Sequence, residues 1–254
     1  MQIDWADGDY SRTAAQLAPV SEHMVDVLEV GPAHRLLDVA CGTGNLAIAA
    51  ARRGAQVTGV DPAGGLLAIA AQRARDESLP ITFVEGAADA LPVGDGAFDL
   101  AASVFGVIFA PDAHAAVGQL LRAVRPGGQV ALTTWLREGP LTALGDILFG
   151  ALPAGDGPAH RWFDADWIAE LLTAQGAREI AITAHQISFT HTSPEASFAE
   201  LEDHHPVWRW VRRQVSEERW DAVRQDSVAA LHDGNEDPAA MRETSHYLMV
   251  RFCR

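Results

Sequence analysis

Two kinds of apolar segment alternate along the first half of this chain. Short, nearly continuous apolar runs are typical of strands buried on both faces. Between them lie longer segments rich in alanine and leucine, which favour helix. The pattern predicts strands at residues 35–39, 56–60, 81–85, 98–103 and 129–135, and helices at 46–53, 64–76 and 113–124. Such alternation predicts parallel strands joined by right-handed helical crossovers.

Turn and cap residues mark the ends of these elements. Asn45 and Asp112 are the predicted N-caps of the first and third helices. Residues 125–128, RPGG, form a predicted turn that stops the third helix and leads into the fifth strand.

The regular alternation weakens after residue 135. Helices are predicted at 141–152 and 165–175, a strand at 179–189, a helical segment at 193–237 and a last strand at 245–252. Because the helical segment is inserted between the last two strands, we expect it to form a cap over one edge of the sheet.

The charge and the cysteine content of the chain argue against several classes of protein. The chain has 254 residues and a formal net charge of −15, which repels nucleic-acid phosphates and anionic lipid headgroups. Its two cysteines, Cys41 and Cys253, are too few for a disulfide framework or a four-cysteine zinc site. The first residues lack a secretion signal, and no run reaches the ~18 apolar residues of a membrane span. We expect a cytoplasmic protein, a monomer or homodimer, that binds neither nucleic acid nor membrane.

The most informative segment is residues 36–45, LLDVACGTGN, in which an apolar strand leads into a carboxylate and a glycine-rich turn. A second carboxylate, Asp61, follows the next strand. Glycines let the backbone approach a ligand closely, Asp38 can attract an ammonium group, and Asp61 can accept hydrogen bonds from two ribose hydroxyls. A small cationic adenosine-containing ligand fits this pattern, and we expect S-adenosylmethionine.

The same turn also satisfies the G-x-G-x-x-G/A pattern of dinucleotide-binding dehydrogenases, over residues 42–47. The carboxylate of Asp38 argues against that alternative, because it would repel a pyrophosphate bound at the helix N-terminus. An NAD-dependent dehydrogenase remains an alternative interpretation.

With its D-x-A-C-G-T-G loop at residues 38–44, the chain resembles the class I S-adenosylmethionine-dependent methyltransferases, specifically their small-molecule branch. The resemblance implies a Rossmann-like, seven-stranded, mostly parallel sheet with helices on both faces and an antiparallel last strand. It also implies one domain over 1–254, with lid helices at 1–30, a cofactor-binding core at 35–136 and substrate-cap insertions at 137–163 and 193–240.

The resemblance further implies which residues bind the cofactor. Asp38 would order the loop and the methionine amino group, Asp61 would bind the ribose, and the backbone N–H of Ala88 would bind the adenine. The loop backbone at Ala40, Gly42, Thr43 and Gly44 would wrap the methionine end, and Ser103 and Phe105, after the fourth strand, would line it. Pro62 and Leu66 would flank the adenine. Tyr10 and Trp5 lie in a segment that would either close over the cofactor or only anchor the first helix. One departure is Ala87, where the family often has an Asp that binds the adenine amino group. Either cofactor binding is weaker by this hydrogen bond, or Asp89 replaces it through a shifted turn.

The sequence indicates less about the methyl acceptor than about the cofactor. If a general base is used, the candidates are His160, His204 and His205, although a surface or packing role is the more common one for any single histidine. No metal is expected, because adjacent side chains on a helix diverge. Phe105, Phe109, Trp135 and Trp162 are candidates for an aromatic acceptor pocket or for plain core.

Two other features favour structural roles. The segment VWRWVRR at 207–213 places its apolar side chains on one helical face, which predicts an amphipathic helix with a solvated side rather than a nucleic-acid element. Cys41 lies near a helix N-terminus, where the pKa of a thiol can fall, but packing within the loop is the expected role.

Taken together, these features predict methyl transfer from S-adenosylmethionine to the oxygen, nitrogen or carbon of a small, apolar or aromatic acceptor, in specialised metabolism. The first alternative is a protein with the same fold and cofactor pocket that catalyses another reaction or only binds.

Overall fold

A computed structural model describes residues 3–153 and 161–254. The seven strands are β1 (Arg35–Val39), β2 (Gln56–Asp61), β3 (Ile81–Glu85), β4 (Phe98–Val104), β5 (Val124–Trp135), β6 (Arg178–His191) and β7 (Met241–Cys253). The helices are α1 (Tyr10–Val27), α2 (Asn45–Arg52), α3 (Gly64–Asp76), α4 (Ala113–Ala123), α5 (Pro140–Gly150), α6 (Ala165–Ala174), α7 (Pro194–His204), α8 (Pro206–Arg212) and α9 (Glu217–Asp233). The part of the chain that is described contains no helix long and apolar enough to cross a membrane.

The strands form one sheet in the order β3-β2-β1-β4-β5-β7-β6. β1 pairs in parallel with β2 and β4, β2 with β3, and β4 with β5, whereas the last strands run antiparallel. The predicted Rossmann-like, mostly parallel sheet is therefore confirmed. Because β1 lies between two parallel neighbours, its apolar side chains are fully buried, as the continuous apolar run indicates.

Two local predictions are wrong. The N-cap of α2 is Gly44, in the left-handed region at φ 83°, and Asn45 is the first helical residue. β5 begins at Val124 rather than at residue 129, because the Pro-Gly-Gly segment is an irregularity within the strand rather than a separating turn. The register shifts there between Phe98, paired with Val124, and Leu100, paired with Gln129. The predicted cap Asp112 is confirmed, since its side chain accepts from the backbone N–H of Ala115 at 2.9 Å.

The predicted helical segment between the last two strands consists of three helices, α7, α8 and α9. Each begins at a side-chain cap: Ser193, His205 and Ser216 accept from backbone N–H groups of their own helices. Pro206 at the first position of α8 explains the break after α7, because proline cannot continue the preceding helix.

The chain divides into two compact units. Unit A comprises the described residues within 17–134, 160–184 and 248–254, and unit B those within 1–16, 135–159 and 185–247. The assignments of lid and cap segments remain predictions.

Candidate functional site

A tight loop joins β1 to α2 in unit A. Ala40, Gly42 and Gly44 all have positive φ angles, of 53°, 54° and 83°. Glycine tolerates this conformation, whereas at Ala40 it is strained. A Cβ atom on Gly44 would lie 3.1 Å from the Cβ of Ala70, so α3 packs directly against the loop. The backbone is therefore held in a narrow, preformed turn.

Two buried carboxylates organise this loop. Asp38 is 1% exposed and Asp61 is 5% exposed. One oxygen of Asp38 accepts from the backbone N–H of Ala47 at 2.9 Å, which caps α2 where Gly44 offers no side chain. The two oxygens of Asp61 accept from the N–H groups of Gly42 and Ala63, each at 2.8 Å. Both acids thus fix the loop while presenting negative charge beside it.

Burial raises the pKa of both carboxyls. The pKa of Asp38 lies well above its usual range through desolvation, against the lowering effect of the Ala47 N–H and with a further rise from the charge of Asp61. Desolvation likewise raises the pKa of Asp61, although its two backbone hydrogen bonds act in the opposite direction. Within the described ranges neither forms an ion pair with a basic side chain. A cation would therefore be favoured here.

Sequence reasoning missed Arg73. Its guanidinium donates to the carbonyl of Thr43 at 2.6 Å, to the Thr43 hydroxyl at 3.2 Å and to the side-chain oxygen of Asn45 at 2.9 Å. Arg73 lies one turn after Ala70 on α3, on the face that contacts the loop. The three-residue spacing of Ala70 and Arg73 places both on one face of α3. The sequence shows this spacing, but it predicts a contact with the loop only when α3 is known to pack against Gly44.

A second loop, after β4, lies against the first. The hydroxyl of Ser103, which is fully buried, accepts from the N–H of Val107 at 3.0 Å. Phe105 has a positive φ of 55°, and its N–H donates to the hydroxyl of Thr133 at 2.9 Å. A Cβ on Gly106 would lie 2.4 Å from the Cβ of Ala40, closer than real atoms approach. The structure therefore brings two strained loops together.

The other candidates for the cofactor site follow β2 and β3. Pro62 is exposed, and Leu66, in the first turn of α3, is buried. Asp61 and Glu85, the last residues of β2 and β3, are opposite each other in the parallel register. Ala88 is half-buried in the turn after β3. These residues lie at the carboxyl ends of adjacent strands, where ligands of open α/β sheets bind.

Residues 36–128 match the family model of a methyltransferase domain. Over this range the chain is similar to methyltransferase domains. Uncharacterized protein Rv1405c of Mycobacterium tuberculosis is 41% identical over 136 residues, 53% of this chain and 50% of the relative. Demethylmenaquinone methyltransferase of Thermus thermophilus is 40% identical over 129 residues, 50% of this chain and 54% of the relative. The chain thus spans about half the length of these curated relatives.

Solved structures share the fold of this chain. The YcgJ protein of Bacillus subtilis has a TM-score of 0.66 at 16% identity, over 93% of this chain and 98% of that one. The [4+2]-cyclase SpnF has a TM-score of 0.58 at 24% identity, over 93% of this chain and 80% of that one. At these identities the likeness establishes the fold.

Unit B holds a second group of candidates. The rings of Trp5 and Tyr10 lie 5.5 Å apart, edge to face, and both contact the ring of His205, at 6.4 and 5.9 Å. Nδ1 of His205 accepts from the N–H of Val207 at 3.3 Å. Desolvation lowers the pKa of His205 to about 4, so its ring is neutral at pH 7. The backbone carbonyl of His204 accepts from the N–H of Asp9 at 3.0 Å. His160 lies outside the described residues.

The structure assigns packing roles to two further sequence features, the helix α8 and Cys41. In α8, Trp208 and Val211 are buried, while Arg209 and Arg213 form ion pairs with Asp7, which confirms an amphipathic helix. Burial raises the pKa of the Cys41 thiol well above its usual value, and nearby Asp38 and Asp61 raise it further, so the helix terminus does not activate this thiol.

The candidate pocket aromatics are divided between the units. Phe105 and Trp162 are buried in unit A, where Trp162 contacts Trp167 edge to face at 5.4 Å. Phe109, in the same unit, is half-buried. Trp135 contacts Phe189 in unit B, with ring centroids 6.4 Å apart.

Proposed function

We propose that this chain binds S-adenosylmethionine on the loops after β1, β2 and β4 and transfers its methyl group to a small acceptor. The observation that carries the proposal is the pair of buried carboxylates, Asp38 and Asp61, with no basic partner among the described side chains. When bound, S-adenosylmethionine supplies a methyl group on a positively charged sulfur. Its ammonium and sulfonium groups provide the positive charge that this site favours.

The environment of Asp38 also supports this ligand over NAD. Its carboxylate occupies the Ala47 N–H in the first turn of α2, one of the groups that a pyrophosphate bound at a helix N-terminus would use. The pyrophosphate of a dinucleotide could not use this N–H group, and it would lie beside the buried carboxylate of Asp38. A dehydrogenase is therefore disfavoured.

Each residue of the proposed site has a specific task. Asp61 accepts from the ribose hydroxyls, Pro62 and Leu66 flank the adenine, and the backbone N–H of Ala88 donates to it. The backbone from Ala40 through Gly42 and Thr43 to Gly44 wraps the methionine end, which Asp38 orients and which Ser103 and Phe105 border. The closing role of Tyr10 stays a prediction from the sequence.

Transfer of the methyl group is an in-line displacement. A lone pair of the acceptor forms a bond to the methyl carbon as the carbon–sulfur bond breaks, and the acceptor's proton passes to a base or to water. The low pKa and the engaged Nδ1 of His205 favour catalysis by alignment rather than by this histidine. His204 and His160 remain the other proposed bases. We propose a small apolar or aromatic acceptor, in keeping with a relative named demethylmenaquinone methyltransferase.

A second candidate is a cofactor-binding protein with a different reaction. Its support is the structural likeness to a protein named a [4+2]-cyclase, together with Ala87 in place of the acid that commonly binds adenine. This candidate predicts cofactor binding without transfer of the methyl group to any acceptor.

Isothermal titration of the full chain with S-adenosylmethionine, S-adenosylhomocysteine and NAD tests the proposal. We expect micromolar binding of both adenosyl ligands and none of NAD. Asp61→Asn should weaken both by about 1–3 kcal/mol, because the ribose hydroxyls lose a charged acceptor. Asp76→Asn, at an exposed position of α3, is the matched control and should bind normally. Binding of NAD alone would refute the proposal.

A second assay separates the two candidates. The chain is incubated with S-adenosylmethionine labelled in its methyl group and a panel of small phenols, amines and carboxylic acids. Label recovered in a product supports methyl transfer, whereas binding without label transfer to any acceptor supports the second candidate.

A further inference from the structure

Strand β7 carries a carboxyl oxygen and a hydroxyl group that are buried and have no hydrogen-bond partner among the described residues. Glu243 is 5% exposed and Ser245 is 1% exposed. Oε2 of Glu243 and Oγ of Ser245 have no partner in the portion of the chain that is described. Because residues two apart on a strand point to the same face, the two groups are neighbours. Buried polar groups are nearly always paired, so two adjacent exceptions suggest a binding site.

Two contacts in unit B fix the register between β6 and β7. The hydroxyls of Ser188 and Thr244 lie 3.1 Å apart. The rings of His185 and Tyr247 stack with centroids 5.5 Å apart. His185 lies three residues before Ser188 on β6, and Tyr247 lies three residues after Thr244 on β7. The two contacts therefore fit one antiparallel register without a bulge between them.

This register identifies the neighbours of the unpaired groups. Phe189 lies opposite Glu243, and Ile187 lies opposite Ser245, on the same face of the sheet. Both apolar side chains are buried. The ring of Trp135 contacts that of Phe189, with centroids 6.4 Å apart. One carboxyl and one hydroxyl therefore share this face of the sheet with aromatic and aliphatic side chains.

The charges around Glu243 favour a cation. Glu236 accepts from the N–H and the hydroxyl of Thr244, at 2.9 and 3.0 Å, which holds a second carboxylate close by. That second carboxylate has its own cation, because Nε of Arg242 lies 3.7 Å from its Oε2. Desolvation, with the charge of Glu236, raises the pKa of Glu243 to about 7. No ion pair to Glu243 is found within residues 3–153 and 161–254. An ionised Glu243 therefore lacks a counter-charge.

We propose that Glu243 and Ser245 bind the amino group of a small amine whose aromatic or aliphatic frame contacts Phe189 and Trp135. An ammonium group supplies both the counter-charge that Glu243 lacks and enough N–H donors for both oxygens. A phenol has one donor and no charge, and a carboxylate is repelled. The proposal stands without the proposed function, because every residue that it uses lies in unit B.

Binding of simple probes to the full chain tests the site without relying on turnover. Phenethylamine is titrated calorimetrically against 4-ethylphenol and 3-phenylpropionate. We expect phenethylamine to bind best, 4-ethylphenol more weakly and 3-phenylpropionate not at all. Glu243→Gln should weaken phenethylamine binding at least about tenfold, because the charged acceptor is lost. Glu218→Gln, at an exposed position of α9, is the matched control and should bind normally.

A second variant pair tests the hydroxyl. Ser245→Ala should weaken phenethylamine binding, whereas Ser188→Ala, which removes a hydroxyl already close to that of Thr244, should not. Equal affinity of wild type and Glu243→Gln, or no binding of phenethylamine to wild type, overturns the site. S-adenosylhomocysteine is titrated into the same samples. If the proposed function is wrong but the amine site is right, phenethylamine binds and S-adenosylhomocysteine does not.

Discussion

Replacing Glu243 by glutamine removes a group whose ionisation opposes folding. Its pKa rises from 4.5 to about 7 in the folded chain, mainly through desolvation. Between these values the unfolded chain has released a proton that the folded chain retains, so stability falls as pH rises. At about 1.4 kcal/mol per pH unit, the loss approaches about 3 kcal/mol above pH 7. The amide of the Glu243→Gln variant cannot ionise, so we expect the variant to lack this loss.

Urea unfolding of both proteins from pH 5 to pH 8 measures the effect. The advantage of Glu243→Gln in free energy of unfolding should be small near pH 5 and grow to about 3 kcal/mol by pH 8. Glu218→Gln, whose carboxyl is exposed, should show no such trend. A difference between wild type and Glu243→Gln that stays constant across this range would refute the reasoning from burial.

Three further predictions concern the loops after β1 and β4 and the ring of His205. Arg73→Met leaves the Thr43 carbonyl without its guanidinium donor, so we expect a loss of about 1–3 kcal/mol in stability by urea unfolding and weaker titration of S-adenosylhomocysteine. Gly106→Ala places a Cβ 2.4 Å from that of Ala40 and should abolish or greatly weaken that binding. Gly145→Ala, whose Cβ would meet no described atom outside its own helix within 4 Å, should raise the unfolding midpoint slightly. His205, with a pKa of about 4, should give imidazole NMR shifts of the neutral ring from pH 8 down to about pH 5; titration near pH 6.5 would contradict the desolvation argument.

The fold could be predicted from the sequence to a large extent. Buried parallel strands need continuous apolar runs and their connections need helices, so β1, β3 and α3 begin and end where the pattern predicts. The errors lie at element ends. Asn45 is a good cap residue in isolation, but the carboxylate of Asp38, seven positions earlier in the chain, already caps α2 through Ala47.

The sequence by itself determined the chemistry of the first loop, because Asp38, Gly42 and Gly44 lie within one short segment whose conformation depends on local backbone preferences. Only the tertiary structure decided what supports that loop and what lies elsewhere. Arg73 reaches Thr43 from another helix, and Gly106 is required by its approach to Ala40. Glu243 looks like an ordinary strand residue until the register surrounds it with apolar side chains. Burial and desolvation are properties of residues brought together from distant positions, so a linear pattern does not contain them.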